Sequence, residues 1–413
     1  MENDAPLLKT IAKKFGTPTY VYDLDRIKDQ YRLLQDAFPW PALKIFYAMK
    51  ANYNICVLAT LKNLGAGIDA VSPGDLYMAL SCGFDPSKII YTANNMKETE
   101  MDEVMAAGVL MNIDSLSRLE KYAKKYPCTQ ICLRFNPDVV DGEHDKIKTG
   151  GDLTKFGILL EDVAKVKKIT TQYDIRVVGL HEHTGSGLIK PDSILTAMER
   201  IMSIATRENF PDLTFLDFGG GFKIAYKPDE VPIDYKKMGT RVVERFSDFT
   251  RTYGRQLELR FEPGKYLIAQ AGQLLVEVNT IKHNRNRTIC GTDSGFPQLI
   301  RPMFYDAYHK IENISNPRGK TFVYDICGNI CETGDLFAKD RLLPEIREND
   351  LLSIQDAGAY CYAMGGTYNL RPMPAEVVVE NKKISLSRRR LTSRQLIDLI
   401  CSESIDINQC LTD

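Results

Sequence analysis

The chain has 413 residues, of which 44% are apolar and 26% charged, and a formal net charge of −1 at neutral pH. That length exceeds one ordinary core and calls for two domains, or a barrel of roughly 250 residues plus a second unit. A balanced charge excludes a dedicated binder of polyanions, so neither nucleic acid nor a membrane surface is expected as a partner, and small-molecule chemistry becomes the default.

Residues 1–16 interleave Glu2 and Asp4 with Lys9, Lys13 and Lys14 and hold no apolar stretch of the kind a signal peptide needs. No later run approaches the roughly 18 apolar residues of a membrane span. The ten cysteines contain no C-x-x-C pair. Their nearest clusters are Cys128/Cys132 and Cys327/Cys331, and the expectation is reduced thiols in a cytoplasmic protein.

In chain order, residues 19–22 form a short predicted strand. Between residues 42 and 264, short β-branched runs alternate with longer amphipathic segments, the pattern of a parallel sheet with crossover helices. Eight such runs are predicted as strands: 43–49, 67–72, 88–93, 109–114, 129–136, 175–183, 213–218 and 257–262. The segments 75–82, 97–107 and 195–207 carry apolar residues at helical spacing. Eight βα units predict an α/β chain with a closed (β/α)8 TIM barrel, placed at residues 36–270. After Gly264 the runs 273–281, 321–326, 351–355 and 376–379 are strand-like and separated by Gly and Pro turns. They predict a mostly β second domain of residues 1–35 and 271–413, whose sheet residues 19–22 can join.

Barrel chemistry sits at the C-terminal ends of the strands. Here those ends read Lys50, His183, Gly219-Gly220-Gly221 and Glu262. Lys50 ends the apolar strand Ile45-Phe-Tyr-Ala-Met-Lys50, where it either snorkels to solvent or, partly buried, forms a Schiff base with a carbonyl cofactor. The triple glycine is either a tight turn or a set of N–H groups open to a phosphate, to which Ser186 can add a hydroxyl. Glu262, before Pro263 and Gly264, either pairs with Arg260 or Lys265 or faces a pyridine nitrogen and keeps it protonated. His181 and His183 alternate onto one face of their strand. No third ligand is expected nearby, so no metal site is expected, and His183 suits stacking on a flat ring. In the second domain Cys331 and Glu332 put a thiol beside an acid in a Gly-bounded loop, and Tyr360 follows a predicted strand.

Five ordered motifs resemble the fold-type III pyridoxal-phosphate-dependent decarboxylases, most closely those acting on diaminopimelate: Tyr47-Ala-Met-Lys50-Ala-Asn52, Arg134-Phe-Asn-Pro137 with Lys155-Phe-Gly157, His183-Thr-Gly-Ser186, Phe218-Gly-Gly-Gly221 and Glu262-Pro-Gly264. The resemblance runs from Phe15 to Glu376. It implies an alanine-racemase-like barrel, pyridoxal 5'-phosphate as cofactor, and decarboxylation of meso-2,6-diaminopimelate to L-lysine. It also implies that Lys50 carries the cofactor, His183 stacks on its ring, Ser186, Gly219, Gly220, Gly221, Gly264 and Tyr360 contact it, and Glu262 binds the pyridinium. On the substrate side it implies Arg301 and Tyr305 for the distal carboxylate, Glu332 for the distal ammonium, Tyr360 as a further contact, and Cys331 as proton donor. The expected assembly is a homodimer with shared active sites.

The sequence departs from the family pattern in four places. Lys265 stands where the motif after Glu-Pro-Gly usually ends in a substrate-binding Arg, and lysine cannot form a bidentate fork. Gly187 replaces Gln, Thr184 replaces an aliphatic residue, and Gly365-Gly366-Thr367-Tyr368-Asn369 replaces a Ser-Asn-Tyr-Asn form. These departures keep open a related decarboxylase for another carboxylate-bearing amine, such as carboxynorspermidine or a siderophore or antibiotic intermediate. A non-catalytic cofactor-binding homologue and an amino-acid racemase are the remaining readings; the joint presence of Cys331, Glu332 and Arg301 counts against both.

Overall fold

The computed structural model describes residues 4–142, 144, 154–185 and 191–401. They form two units, one spanning Arg26–Ile268 and the other combining Met1–Asp25 with Ala269–Asp413. After β1 (Thr19–Asp23), the chain builds the first unit from β2 (Leu43–Ala48), β3 (Gly67–Ala70), β4 (Ile89–Tyr91), β5 (Leu110–Ile113), β6 (Gln130–Asn136), β7 (Ile158–Leu159), β8 (Arg176–His181), β9 (Phe215–Asp217) and β10 (Glu258–Phe261). Leaving aside the two-residue β7, which pairs on β6, the order is β5-β4-β3-β2-β10-β9-β8-β6, and β5 pairs with β6 to close the barrel. Each of the eight predicted runs is one of these strands, and every pairing is parallel. The predicted helical segments correspond to Pro73–Ser81, Glu98–Ala106 and Pro191–Ile204. The first shows its start signal in full: Pro73 opens it and Asp75 N donates to Ser72 Oγ at 3.1 Å.

Alternation along the strands separates a packed floor from a polar top. Phe46, Ile90, Cys132, Val178 and Phe215, with Leu110 against them, come from six strands and can meet only inside the closed barrel. The Arg260 guanidinium lies 3.5 Å from the Phe215 ring centroid and 4.8 Å from that of Phe46. Two residues further along the same inward rows come Asp217 and Glu262, because side chains repeat with period two, and Lys50 lies in the turn that follows β2. The floor therefore excludes water beneath the groups that ring the top.

Residues 1–35 were placed with the second domain, a boundary that falls inside the helix Leu24–Ala37. From Arg26 onward it belongs to the barrel unit, to which Gln30 Nε2 ties it by donating to Tyr266 O at 3.3 Å.

The second unit adds β11 (Gly272–Asn284), β12 (Arg287–Thr292), β13 (Ile311–Asn313), β14 (Thr321–Cys327), β15 (Leu336–Pro344), β16 (Leu351–Ile354), β17 (Ala375–Glu380) and β18 (Lys383–Arg388). Its sheet runs β15-β14-β12-β11-β1-β17-β18, with β16 on β11 and β13 on β16. β1 joins this sheet, antiparallel to β11 and parallel to β17, as the early strand was expected to do. Leu8 and Ile11 of the helix Ala5–Phe15 pack on Val21, Leu275, Val377 and Val379. Four strands, β12, β13, β15 and β18, were not anticipated. In β15 the alternation is broken at Asp340, which has φ +46° where the register on β14 shifts. Its N–H is satisfied by Asp325 Oδ1 at 2.8 Å. Among the described residues no helix is long and apolar enough to cross a membrane.

Candidate active site

Lys50 lies in a single 3-10 turn, Met49–Ala51, directly after β2. The β2–β3 register sets Ala48 opposite Asp69, so the turn brings the Lys50 ammonium onto the buried Asp69 carboxylate, with which it pairs. Asp69 Oδ1 is itself buried with no hydrogen-bond partner. A half-buried amine held by a carboxylate on the neighbouring strand is a fixed and accessible nucleophile.

Across the barrel top, Glu262 Oε2 lies 3.0 Å from His181 Nε2, and both side chains are almost wholly buried. Arg260 instead pairs with Glu258 at 2.6 Å. Burial, with the charge of Asp69, holds the Glu262 carboxyl above the usual range, against the pull of Lys50, Arg134 and Arg260. Burial pushes Asp217 up to about 7, with Glu262 adding to it. Burial also pushes His181 down to about 4. The consequence is a cluster in which low dielectric favours neutral forms until a cation arrives. Glu262 Oε1, Asp217 Oδ2 and His181 Nδ1 are buried without partners.

His181, Asp217 and Glu262 place three ligand-type atoms within 4.8 Å of one another. This corrects the expectation that no third ligand lies near the histidines. The two acids are 36 and 81 residues away in sequence and reach His181 only because β8, β9 and β10 are neighbours in the closed sheet.

The glycine turn follows β9 and runs against the Glu182 and Glu262 backbones and the His183 ring. A Cβ on Gly219, whose φ is +61°, would lie 2.6 Å from Glu182 O and 2.8 Å from the His183 ring, and one on Gly220 would lie 2.4 Å from Glu262 O. No side chain fits there. Gly220 N donates to His183 Nδ1 at 3.2 Å, so this nitrogen accepts. Burial and the Arg134 charge lower the His183 pKa further, so the ring is neutral with its proton on Nε2. Arg134 is buried, stands 4.5 Å over the Phe156 ring and reaches His183 O at 3.5 Å. Two of the sequence motifs are thereby joined. Gly264 O accepts from Leu267 N at 3.2 Å where the chain turns into the short helix Lys265–Ile268. Lys265 is buried, with Nζ 5.8 Å from the Tyr226 ring centroid. Ser186 and Gly187 lie outside the described residues.

The second unit carries the other predicted residues. Arg301 and Tyr305 bound a five-residue helix, and Arg301 is buried with Nη1 3.1 Å from His309 Nε2. Cys331 and Glu332 are exposed in the single chain. Cys331 Sγ accepts from Asn369 Nδ2 at 3.2 Å and Glu332 Oε1 from the Tyr368 hydroxyl at 2.9 Å. The segment that departs from the family form is thus the one that orders this loop. Tyr360 has φ +56°, a backbone state that a bulky residue adopts only where surrounding structure enforces it.

Sequence reasoning missed Asp69, Asp217 and the pairing of His181 with Glu262. The only available signal was position, since Asp69 and Asp217 are acids inside predicted buried strands.

Residues 24–269 match the family described as pyridoxal-dependent decarboxylase, pyridoxal binding domain. The chain is 41% identical over 395 residues to a diaminopimelate decarboxylase of Methanothermobacter thermautotrophicus, covering 94% of this chain and 92% of that protein. It is 36% identical to that of Pseudomonas aeruginosa, covering 94% of each. Among solved structures it resembles diaminopimelate decarboxylase of Helicobacter pylori complexed with L-lysine, with TM-score 0.88 and 28% identity over 96% of this chain and all of that one. The chain therefore belongs to the pyridoxal-dependent decarboxylases, within the diaminopimelate decarboxylase family.

Proposed function

We propose that the chain decarboxylates meso-2,6-diaminopimelate to L-lysine with pyridoxal 5'-phosphate as cofactor. The observation that carries the reading is the barrel-top set: a lysine amine on a buried carboxylate, a buried glutamate with one unfilled oxygen, and a glycine turn packed on a neutral histidine.

That donor set fits the cofactor. Lys50 would hold its carbonyl carbon and Glu262, through the unpartnered Oε1, its ring nitrogen. His183 would cover its ring, and Gly219, Gly220, Gly221, Ser186 and Tyr360 would hold its phosphate, with Gly264 setting the turn after Glu262. Bound there, pyridoxal phosphate supplies an electron sink for the pair released as the C–CO2 bond breaks. Asp69 keeps the Lys50 amine in place. Glu262, in a low-dielectric setting, ionises only against an adjacent cation and so keeps a ring-nitrogen proton where it is needed. Arg301 and Tyr305 bind the distal carboxylate and Glu332 the distal ammonium, with Lys265 as a further substrate contact, because an amino-acid head remote from the reacting carbon needs both an anion and a cation site. Cys331 delivers the proton that replaces the lost carboxylate.

The assembly we assign is a two-fold homodimer in which each site takes Lys50 from one chain and Cys331 with Glu332 from the other. A cytoplasmic setting is supported by the free thiols of Cys56, Cys82, Cys128, Cys132, Cys290, Cys327, Cys331 and Cys361. Lys265, buried where a forked Arg is usual, is the one observation that favours a different carboxylate-bearing amine.

The test is a substrate panel on the cofactor-loaded enzyme: meso-diaminopimelate, L-lysine, L-ornithine and carboxynorspermidine, with released carbon dioxide and products measured. Meso-diaminopimelate is expected to be turned over best and to yield L-lysine. Preference for ornithine or carboxynorspermidine would overturn the reading.

A further inference from the structure

We infer that His309 is a positioning residue for Arg301: a neutral, tautomer-locked imidazole that aims the guanidinium at the distal carboxylate of the substrate. The inference rests on the reading of Arg301 as the binder of that carboxylate.

The geometry leaves His309 one protonation state. Its ring is fully buried, with Nε2 3.1 Å from Arg301 Nη1 and Nδ1 2.8 Å from Gln355 O. A guanidinium only donates, so Nε2 must accept. A carbonyl oxygen only accepts, so Nδ1 must carry the proton and donate. A second proton would set an N–H against a cation and lose the contact. His309 is thus the acceptor that a buried arginine needs, and it carries no charge.

The fold holds this acceptor from two sides. β13 and β16 are antiparallel with Ile311 opposite Ile354, and Gln355 N donates to Lys310 O at 2.8 Å, so the ladder continues to the point where Gln355 meets His309. On the other side Arg341 Nη1 donates to His309 O at 2.9 Å, its guanidinium 4.1 Å from the Tyr308 ring centroid. Between Arg301 and His309, the left-handed Asp306 closes the short helix, and Ala307 N returns to Arg301 O at 3.3 Å. Cys361 also lies beside Arg301, and burial pushes its thiol up to about 12 even with the guanidinium there. An imidazole acceptor fixes the fork of Arg301 without adding a charge of its own.

The role separates binding of the distal head from the chemical step. His309→Asn places an amide near the Nδ1 position, keeps a bond to Gln355 O and stops short of Arg301. His309→Gln reaches the Nε2 position and offers Arg301 an acceptor again. His309→Phe keeps ring volume and loses both contacts, and it decides the case if the Asn variant has no cooperative thermal transition. In cofactor-loaded enzyme, the Asn and Phe variants are expected to raise KM for meso-diaminopimelate and the inhibition constant of L-lysine by roughly tenfold, the effect of one lost charge-assisted hydrogen bond. Values of kcat, and inhibition by cadaverine, which lacks the distal carboxylate, should change by no more than about twofold on the same scale. His309→Gln should recover most of the L-lysine affinity. Equal losses for L-lysine and cadaverine, or unchanged L-lysine binding in folded Asn and Phe variants, would overturn the assignment.

Arg301→Ala, measured alongside, separates the two levels of inference. If it leaves L-lysine binding untouched, the reading of Arg301 fails and this inference with it. If it weakens L-lysine binding and the His309 variants do not, only the His309 role fails. Combining His309→Asn with Arg301→Ala should add nothing to the Arg301→Ala loss, and an additive loss would show that His309 acts elsewhere.

Discussion

The Nε2 atom of His181 and the Oε2 atom of Glu262 lie 3.0 Å apart inside the barrel, both groups cut off from water. Burial lowers the first group's pKa and raises the second's, so one hydrogen bond between neutral partners suffices. Glu262→Gln keeps a group that bonds His181 but cannot ionise beside a ring nitrogen. The variant is expected to fold and bind cofactor, judged by its absorbance spectrum, while kcat falls by about two to three orders of magnitude, the usual size of losing one aligned electrostatic contact. An unchanged kcat would remove Glu262 from the mechanism.

On the proposed reading Lys50 is the amine that holds the cofactor, because its turn sets it on Asp69 at the barrel top. Borohydride reduction of the loaded enzyme followed by peptide mass analysis should find the pyridoxyl group on the peptide containing Lys50. Its presence on another lysine would sink the assignment.

Asp217 gives a test in the cofactor-free protein. Its folded pKa is raised from 3.8 to about 7, first by burial and then by Glu262. A raised folded value means a contribution that is complete below the unfolded pKa and lost as pH rises through the folded one. The rise corresponds to at most about 4 kcal/mol at full ionisation. Asp217→Asn keeps an oxygen for Gly219 N, which Oδ1 accepts at 3.0 Å in the native chain, and removes the titration. The stability of the variant relative to wild type should therefore improve between pH 5 and pH 8 in denaturant titrations. A difference independent of pH would contradict the buried-acid account.

Arg301→Ala should lower kcat/KM for meso-diaminopimelate by the equivalent of about 2–5 kcal/mol, the cost of leaving a buried charge partner unpaired. Lys265→Arg tests the main departure separately. On the diaminopimelate reading it gives no large gain. A rise in kcat/KM of roughly tenfold, about 1.4 kcal/mol, would mean that Lys265 has tuned the site to a different substrate.

The proposed shared-site dimer predicts complementation. Lys50→Ala and Cys331→Ala chains, mixed and allowed to exchange, should form heterodimers with one doubly damaged and one intact site. Random pairing then restores about a quarter of wild-type activity. Exchange is followed with differently tagged subunits. Parental activity after demonstrated exchange would reject shared sites.

The eight barrel strands were legible because a parallel strand covered on both faces must be apolar along its whole length, and helices between such strands repeat at their own period. Lys50, the Gly219–Gly221 turn and Glu262 were legible for a related reason: each interrupts its strand at the end where a barrel exposes its backbone. β12 and β15 were hidden because their partners and bulges, such as the one at Asp340, satisfy polar residues that in isolation argue against a strand. The same limit hid the inner cluster. Asp69, His181 and Asp217 come from three strands and Glu262 follows a fourth, and nothing local to any of them indicates that the others are near. Their protonation depends on mutual distance and exclusion of water, which exist only after the sheet closes. His309 is the sharpest case: its residue type and place were plain in the chain, but its tautomer is set by Arg301 on one nitrogen and Gln355 on the other, and only the pairing of β13 with β16 brings Gln355 to the ring that the turn at Asp306 sets beside Arg301.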